Sequence, residues 1–275
     1  MLEFPEVVSL ARQLQKYVVG RTVENVFPPV KPHKFCWFNG APEEYEAKIQ
    51  GADIISAKGF GLYVEIGFDN GYYLCINDGV HVYLCEGECK EENYQLKIRF
   101  TDGASLIFTV AMYGGIILHK GDYENEYYGK SQAALSPLDK AFPEYYQKMF
   151  QESKKTLSAK AFLATDQRFP GIGNGVIQDI LLYSHIHPKR KIDSLTQEEK
   201  NILLHMIIER LKKMEEQGGR DTERDLFNKA GGYRTCMSKK TYTEGSCPIC
   251  GGKIQKESYL GGTIYYCPDC QPLKK

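Results

Sequence analysis

The hydrophobic pattern changes its period along the chain. Residues 5–19 carry apolar side chains at helical spacing, and the stretch from about 22 to 120 alternates with a period of two. Pro5 and Glu6 suit the first turn of the opening helix. Helical spacing returns in the second half of the chain. The pattern therefore predicts a helix, a block of strands and then a helical region.

Six segments of the alternating stretch predict strands, with the turn signals DNG and TDG between some of them. The segments are GLYVEIGF, YYLCIN, HVYLC, YQLKIRF, SLIFTVAM and GIILHK. Six or more strands at this spacing indicate a sandwich or a barrel. The first half is therefore expected to be one helix on an antiparallel β-sandwich.

The second half predicts four helices, at about 139–152, 157–165, 174–184 and 195–216. The polar segment GDYENEYYGKSQAALSPL before them is rich in turn residues and predicts a linker. These signals divide the chain into a sandwich domain (1–125), a linker (126–138), a helical domain (139–240) and a cysteine module (241–275).

Composition and charge narrow the class of protein. The 275 residues are 42% hydrophobic and 25% charged, which is typical of soluble globular proteins. Without an 18-residue apolar run or a secretory signal, the expected location is the cytoplasm. Residues 1–138 carry 12 basic and 18 acidic side chains (−6), and residues 139–275 carry 23 and 17 (+6). If a polyanion binds, the second half is expected to be its anchor. Ordinary scatter explains a charge difference of this size equally well.

Four cysteines near the C-terminus have the spacing of a metal site. Cys247 and Cys250 form one C-x-x-C pair, and Cys267 and Cys270 form another after sixteen residues. This spacing predicts one structural zinc ion with four thiolate ligands and no open coordination position. The other five cysteines, including the C-x-x-x-C pair Cys85 and Cys89, are interpreted as free thiols.

A glycine-containing turn, GIGN, lies between two predicted helices. Gly171 and Gly173 allow the backbone to approach a partner closely. Amides at the start of the next helix, together with Asn174, predict a phosphate site. An ordinary helix N-cap role for Asn174 is the alternative.

The whole stretch AKAFLATDQRFPGIGNGVIQDILLYSHIHP resembles the helix–two-turns–helix motif of the formamidopyrimidine-DNA glycosylase / endonuclease VIII family. That family also begins with a PE-x-PEV helix, here LEFPEV, and ends in a glycine-rich loop and a four-cysteine zinc finger. The order and spacing here are the same, so the resemblance covers nearly the full length. It implies an α+β protein of two domains, with a zinc ribbon at the C-terminus and nucleic acid in the cleft between domains.

The resemblance implies a set of functional residues. Family members flip a damaged base from duplex DNA and attack the sugar with the amine of an N-terminal proline. Glu3 and Glu6 match the acids of that motif, and Lys160, Asn174 and Gly173 match the phosphate-binding turn. The implied partner is duplex DNA, damaged or abasic, bound by a monomer with one zinc ion.

This sequence departs from the family pattern at its N-terminus. Leu2 stands where the family has proline, and a large second residue predicts that Met1 is kept. The amine is then displaced by one residue, over 3 Å of backbone, relative to Glu3. A gapless alignment puts Phe60 at the position of the family's hairpin lysine, and Lys58 is the candidate substitute. By the same resemblance, three residues that fill the space of the flipped base in the family are replaced here by Val80, Tyr113 and Gly114. The arginine of the zinc-finger hairpin that contacts DNA phosphates is replaced by Gly262.

Three hypotheses follow. The chain is a glycosylase with altered chemistry, in which water, the Met1 amine or Lys58 is the nucleophile. Alternatively, it is a non-catalytic protein that binds DNA or structured RNA on the same scaffold, through Lys160 and Asn174. A protein–protein module that keeps only the fold is the third hypothesis. Glu3 and Glu6 as mere caps of the first helix remain an alternative to any catalytic role.

Overall fold

Two β-sheets form the sandwich of the first half. The computed structural model describes residues 1–87, 89 and 92–274. The strands are β1 (Val23–Phe27), β2 (Cys36–Phe38), β3 (Ile54–Phe60), β4 (Tyr63–Phe68), β5 (Tyr73–Asn77), β6 (Val80–Cys85), β7 (Leu96–Phe100), β8 (Ser105–Val110) and β9 (Gly114–His119). One sheet has the order β1-β7-β8-β6 and the other β2-β9-β5-β4-β3. All six segments with alternating polarity contribute strands, as predicted.

The sandwich is antiparallel with one exception. Strand β2 pairs in parallel with β9, with Cys36 opposite Gly114. Because parallel neighbours cannot be joined by a tight hairpin, the chain runs through strands β3 to β8 between β2 and β9. The expected antiparallel sandwich is therefore confirmed, with this one parallel pair at its edge.

The first helix holds the two halves of the protein together. Helix α1 (Phe4–Tyr17) buries Val7, Leu10 and Leu14 in the sandwich core. Its first residue, Phe4, belongs instead to the core of the helical half. The N-terminal residues are therefore placed where the two halves meet.

The predicted linker contains a helix. Helix α2 (Tyr45–Ile49) lies between strands, and α3 (Glu126–Gln132) falls within the 126–138 segment. The Asn125 side chain caps α3 by accepting from the amides of Tyr127 and Tyr128. Tyr128 is 4% exposed and packs edge-on against Tyr63, so this segment is anchored to the sandwich.

The second half is helical and ends in a small ribbon. Its helices are α4 (Phe142–Glu152), α5 (Ala159–Ala164), α6 (Val176–Tyr183), α7 (Gln197–Glu216) and α8 (Lys239–Glu244). The four predicted helices match α4 to α7, while α8 was not predicted. Strands β10 (Gln255–Tyr259) and β11 (Gly262–Tyr266) form the ribbon hairpin. In the part of the chain that the structure describes, a helix with the length and apolar character needed to cross a membrane is not found.

Candidate nucleic-acid interface

A cleft of about 560 Å³ lies between the two halves. Its walls come from the N-terminus, the β8–β9 loop, the GIGN turn and the tip of the ribbon hairpin. The lining includes Glu3, Asp78, Tyr113, Lys160, Asn174 and Gly262. Segments that are far apart in sequence thus converge on one concave surface.

Glu3 crosses this junction and caps helix α6. Its carboxylate accepts from the amides of Gly175 at 2.8 Å and Val176 at 2.7 Å. The positive end of a helix dipole stabilises such a carboxylate. The helix-start amides that were predicted to hold a phosphate are therefore engaged by Glu3. For these two amides, a side chain 172 residues away supplies the anion, and the part of the prediction that concerns Asn174 stays a prediction.

Gly173 provides the space for this contact. A Cβ atom at Gly173 would lie 2.6 Å from Oε1 of Glu3, closer than real Cβ contacts. Gly171 has φ +93°, and a Cβ there would lie 2.7 Å from the carbonyl oxygen of Gly61. Both glycines of GIGN are therefore required by approaching protein groups, which explains the turn without a ligand.

Glu6 forms an ion pair with Arg220, a residue that the sequence analysis did not single out. The guanidinium donates to Glu6 through Nε at 3.0 Å and Nη2 at 2.7 Å. Its Nη1 lies 3.4 Å from Glu3, and its backbone amide also donates to Glu6 at 3.0 Å. Arg220 and both carboxylates are nearly inaccessible to solvent. Two acids and one arginine thus form a buried cluster, which we call the Arg220 cluster.

Charge in the Arg220 cluster shifts the titration of its members. Burial raises the pKa of Glu3 above its ordinary value, and the Arg220 charge opposes that rise. Burial disfavours the charged form of Arg220, but Glu3 and Glu6 outweigh it, so the pKa of Arg220 is raised. The arginine therefore stays charged, and Glu3 is easier to protonate than an exposed glutamate.

The N-terminus lies beside the cluster in an ordered arrangement. The side chain of Leu2 is buried, and its backbone nitrogen donates to the carbonyl oxygen of Asp78 at 2.6 Å. The Met1 ammonium pairs with Glu223, and the Met1 carbonyl accepts from Arg220 at 3.3 Å. In this structure the nitrogen next to Glu3 is a peptide nitrogen with an engaged N–H group.

Lys160 and Asn174 reach the ribbon hairpin from the GIGN side. Lys160 Nζ donates to the Tyr259 carbonyl oxygen at 2.6 Å, and Asn174 Nδ2 donates to the Thr263 carbonyl oxygen at 3.0 Å. A Cβ atom at Gly262 would lie 3.3 Å from both side chains. Gly262, which replaces an arginine by the family resemblance, therefore lets the hairpin approach these two residues closely.

Lys58 is not brought together with Glu3 and Glu6. It is exposed on β3, opposite Glu65 on β4, and it is not among the residues that line the cleft. Phe60, two residues on, stacks with Tyr63 and packs edge-on against Tyr128. Phe60 therefore packs against helix α3, while Lys58 stays exposed.

The four predicted metal ligands form one compact group. The Sγ atoms of Cys247 and Cys270 are 3.9 Å apart, and those of Cys250 and Cys267 are 3.5 Å apart. Zinc–sulfur bonds of about 2.3 Å in a tetrahedron require sulfur separations of about 3.8 Å. The four cysteines therefore fit one metal ion, as their spacing predicted.

A second group of potential ligands is Glu65, Cys75 and His119. Here His119 Nδ1 accepts from the Gly121 amide at 3.1 Å, which leaves Nε2 as the protonated nitrogen of the neutral ring. Nε2 faces Cys75 Sγ at 3.3 Å, and the Tyr128 hydroxyl donates to Glu65 at 2.7 Å. These contacts satisfy the group as a hydrogen-bond network, so it needs no metal.

Comparisons with known proteins find relatives that cover nearly the whole chain. The family model of the formamidopyrimidine-DNA glycosylase N-terminal domain matches residues 1–135. Formamidopyrimidine-DNA glycosylase of Bacillus cereus (strain ATCC 14579) is 26% identical over 281 residues, 99% of each chain. The chain belongs to the formamidopyrimidine-DNA glycosylase family. A Lactococcus lactis subsp. cremoris member of the family is 27% identical, with 98% of this chain and 99% of that protein covered.

Solved structures of the glycosylase family share the whole fold. A Lactococcus lactis Fpg in complex with DNA containing an abasic site has a TM-score of 0.82 at 22% identity, covering 98% of this chain and 99% of that one. The MutM (Fpg) protein of Thermus thermophilus has a TM-score of 0.79 at 22% identity, covering 99% of this chain and 100% of that one. The α+β architecture with two domains that the sequence predicted is thereby confirmed.

Proposed function

We propose that this glycosylase-family protein binds damaged or abasic duplex DNA in the cleft between its halves. The observation that carries the proposal is the convergence of Lys160, Asn174 and the ribbon hairpin on the cleft that also contains Glu3. The Lactococcus lactis Fpg with the same fold is described in complex with abasic DNA. Nucleic-acid binding by the fold's cleft is therefore the simplest use of this surface.

Lys160 and Asn174 are the proposed backbone contacts. An ammonium has three N–H donors, and the Tyr259 carbonyl uses one of those on Lys160. Burial lowers the pKa of Lys160, and a phosphate beside it would favour its charged form. The side chains are held by the hairpin before DNA arrives, which reduces the entropy lost on binding.

We infer that this protein does not attack the sugar with an N-terminal amine. The Leu2 nitrogen lies in a peptide bond, where delocalisation into the carbonyl removes its nucleophilicity. Its N–H group donates to Asp78, and Arg220 holds Glu6 through two charge-assisted bonds. We therefore propose a cleft that binds DNA without the amine chemistry that the family resemblance implies.

A second candidate function is base release by activated water. Glu3 lines the cleft, and burial raises its pKa above the ordinary value of a glutamate, which is the direction that general acid–base catalysis by a carboxyl group requires. Its present hydrogen bonds to Gly175 and Val176 would have to weaken for it to act as a general base. Release of a damaged base without strand cleavage would favour this candidate.

We propose one structural zinc ion on Cys247, Cys250, Cys267 and Cys270. Three of these cysteines are nearly inaccessible, and four thiolate ligands would fill a tetrahedral zinc ion, so the ion would have no open position for catalysis. Its role would be to hold the hairpin that contacts Lys160 and Asn174. Binding at the cleft would therefore depend on the metal.

The test measures the affinity for a labelled duplex of about 20 base pairs that contains a stable abasic analogue. Fluorescence anisotropy reports the binding at several salt concentrations. Lys160→Met keeps the apolar stem, and we expect about tenfold weaker binding with a salt slope reduced by about one. Lys212→Met on α7, an exposed side chain that does not line the cleft, is the control. Equal binding by both variants, or tighter binding to an RNA hairpin, would overturn the proposal.

A further inference from the structure

An exposed segment beside the cleft combines aromatic and basic side chains. It comprises residues 30–37, with the sequence VKPHKFCW. Phe35 is 47% exposed and Trp37 is 52% exposed, and Lys31 and Lys34 are also exposed. Large aromatic rings at such exposure are costly in water and often mark binding surfaces.

The backbone of this segment is fixed by buried contacts. Gln95, 6% exposed, accepts from the His33 amide at 2.8 Å and donates to the Lys31 carbonyl at 3.2 Å. The Gly114 amide donates to the Phe35 carbonyl at 3.0 Å. The rings are therefore presented on a held backbone and need little ordering when a partner binds.

The segment continues the wall of the cleft. The Trp37 ring centroid lies 6.4 Å from that of Tyr113, and Tyr113 lines the cleft. The Tyr113 hydroxyl lies 3.7 Å from the sulfur of Met1. A row of rings thus leads from the N-terminus outward through Tyr113 and Trp37.

Cations accompany the rings. Lys34 Nζ lies 5.3 Å from the Phe35 ring centroid. Within residues 1–87, 89 and 92–274, neither Lys31 nor Lys34 forms an ion pair with a carboxylate. Both ammonium groups are therefore available to a phosphate, while the rings offer flat apolar faces.

Rings with nearby free cations fit unpaired nucleotides. Bases stack on exposed aromatic side chains, and basic side chains follow the phosphates of a single strand. In a duplex each base face is already covered by its neighbour, so it cannot stack on Trp37 or Phe35. A protein partner would not explain why the row begins at a nucleic-acid cleft.

We propose that Tyr113, Trp37 and Phe35 form a stacking platform for single-stranded DNA that leaves the cleft, with Lys31 and Lys34 contacting its phosphates. The inference rests on the proposed DNA-binding function of the cleft. The preferred ligand of the protein is then an abasic duplex with an unpaired tail. The tail adds contacts that a blunt duplex lacks.

Trp37 is the only tryptophan of the chain, so its fluorescence reports directly on the platform. Three probes are titrated: a blunt abasic duplex, the same duplex with an eight-nucleotide oligo(dT) tail, and the free dT octamer. We expect about tenfold tighter binding of the tailed duplex than of the blunt one. We also expect the tail and the octamer to quench Trp37, and the blunt duplex to leave it unchanged.

Variants separate stacking from other effects. Trp37→Ala should abolish the gain from the tail in anisotropy measurements, and Trp37→Phe should keep part of it. Ile55→Ala, at an apolar side chain 57% exposed on β3, should keep all of it. Equal affinity for tailed and blunt duplexes, with abasic duplex binding intact, overturns the platform alone. Absence of abasic duplex binding overturns the proposed function, and octamer quenching of Trp37 then still tests the platform.

Discussion

Replacing Arg220 by methionine tests whether the Arg220 cluster holds the two halves together. The side chain donates twice to Glu6, approaches Glu3 at 3.4 Å and donates to the Met1 carbonyl. Methionine keeps the apolar stem but ends before the guanidinium, so it removes the charge and the donors. The substitution therefore removes the electrostatic contribution while the packing of the stem is kept.

The expected cost follows from the burial of the remaining acids. Breaking a buried ion pair by removing one partner costs about 3–5 kcal/mol, because the other charge stays in the interior. Glu3 keeps the amides of Gly175 and Val176. Glu6 keeps the backbone amide of residue 220. We therefore expect Arg220→Met to lower the free energy of unfolding by about 3–5 kcal/mol at about pH 8.

The loss should depend on pH with a defined sign. Burial already raises the pKa of Glu3 above its value in the unfolded chain, and removal of Arg220 raises it further. A carboxyl group with a raised folded pKa binds protons more tightly in the folded state, so folding becomes more favourable as pH falls. The destabilisation should thus be complete well above the raised pKa and shrink as pH falls through it.

Urea unfolding followed by circular dichroism measures this loss at about pH 8 and about pH 5. The matched control is Arg12→Met, because Arg12 pairs with Glu215 at the surface with its side chain 64% exposed. That pair should contribute no more than about 1 kcal/mol. A loss for Arg220→Met equal to the control, or one that grows on acidification, would refute the reasoning.

Three further predictions concern other parts of the structure. Gly173→Ala should destabilise by about 1–3 kcal/mol in the same assay, since its Cβ would displace Glu3, whereas Gly129→Ala on α3 meets no atom within 4 Å and should not destabilise. Elemental analysis should find one zinc per chain, and chelation should unfold the ribbon and weaken DNA binding; retention of binding by metal-free protein would contradict this. Cys75→Ser should leave the zinc content unchanged, and a fall in zinc would show that the Cys75–His119 group binds metal.

Features encoded locally were predicted well from the sequence. The cysteine spacing predicted four thiols that the fold brings within reach of one metal ion, because both pairs lie on short turns. Period-two segments predicted the strands of the sandwich, and helical spacing predicted α4 to α7. These patterns reflect burial on one face of an element, which a single segment is sufficient to reveal.

Features that depend on distant contacts were missed. Arg220 is 214 residues from Glu6, and a Gly-rich polar loop gives no sign that one of its arginines is buried. The helix start after GIGN predicted a phosphate site, but Glu3 supplies the anion. The available signal was the acidic N-terminal motif, but it does not say which arginine of the loop, Arg220, Arg224 or Arg234, lies against it. Pairing them required the folded structure.

Borohydride reduction of the protein with abasic duplex DNA tests the central claim most directly. The claim is that the cleft binds abasic DNA without forming a covalent bond to it. The Leu2 nitrogen lies in a peptide bond, and the Arg220 cluster contains no free amine that could attack the sugar. Binding and trapping are measured on the same sample, with mass spectrometry to locate any adduct. The account predicts saturable, salt-dependent binding with no covalent adduct. A reduced adduct on Met1, Leu2 or Lys58 would contradict it and show a relocated amine nucleophile.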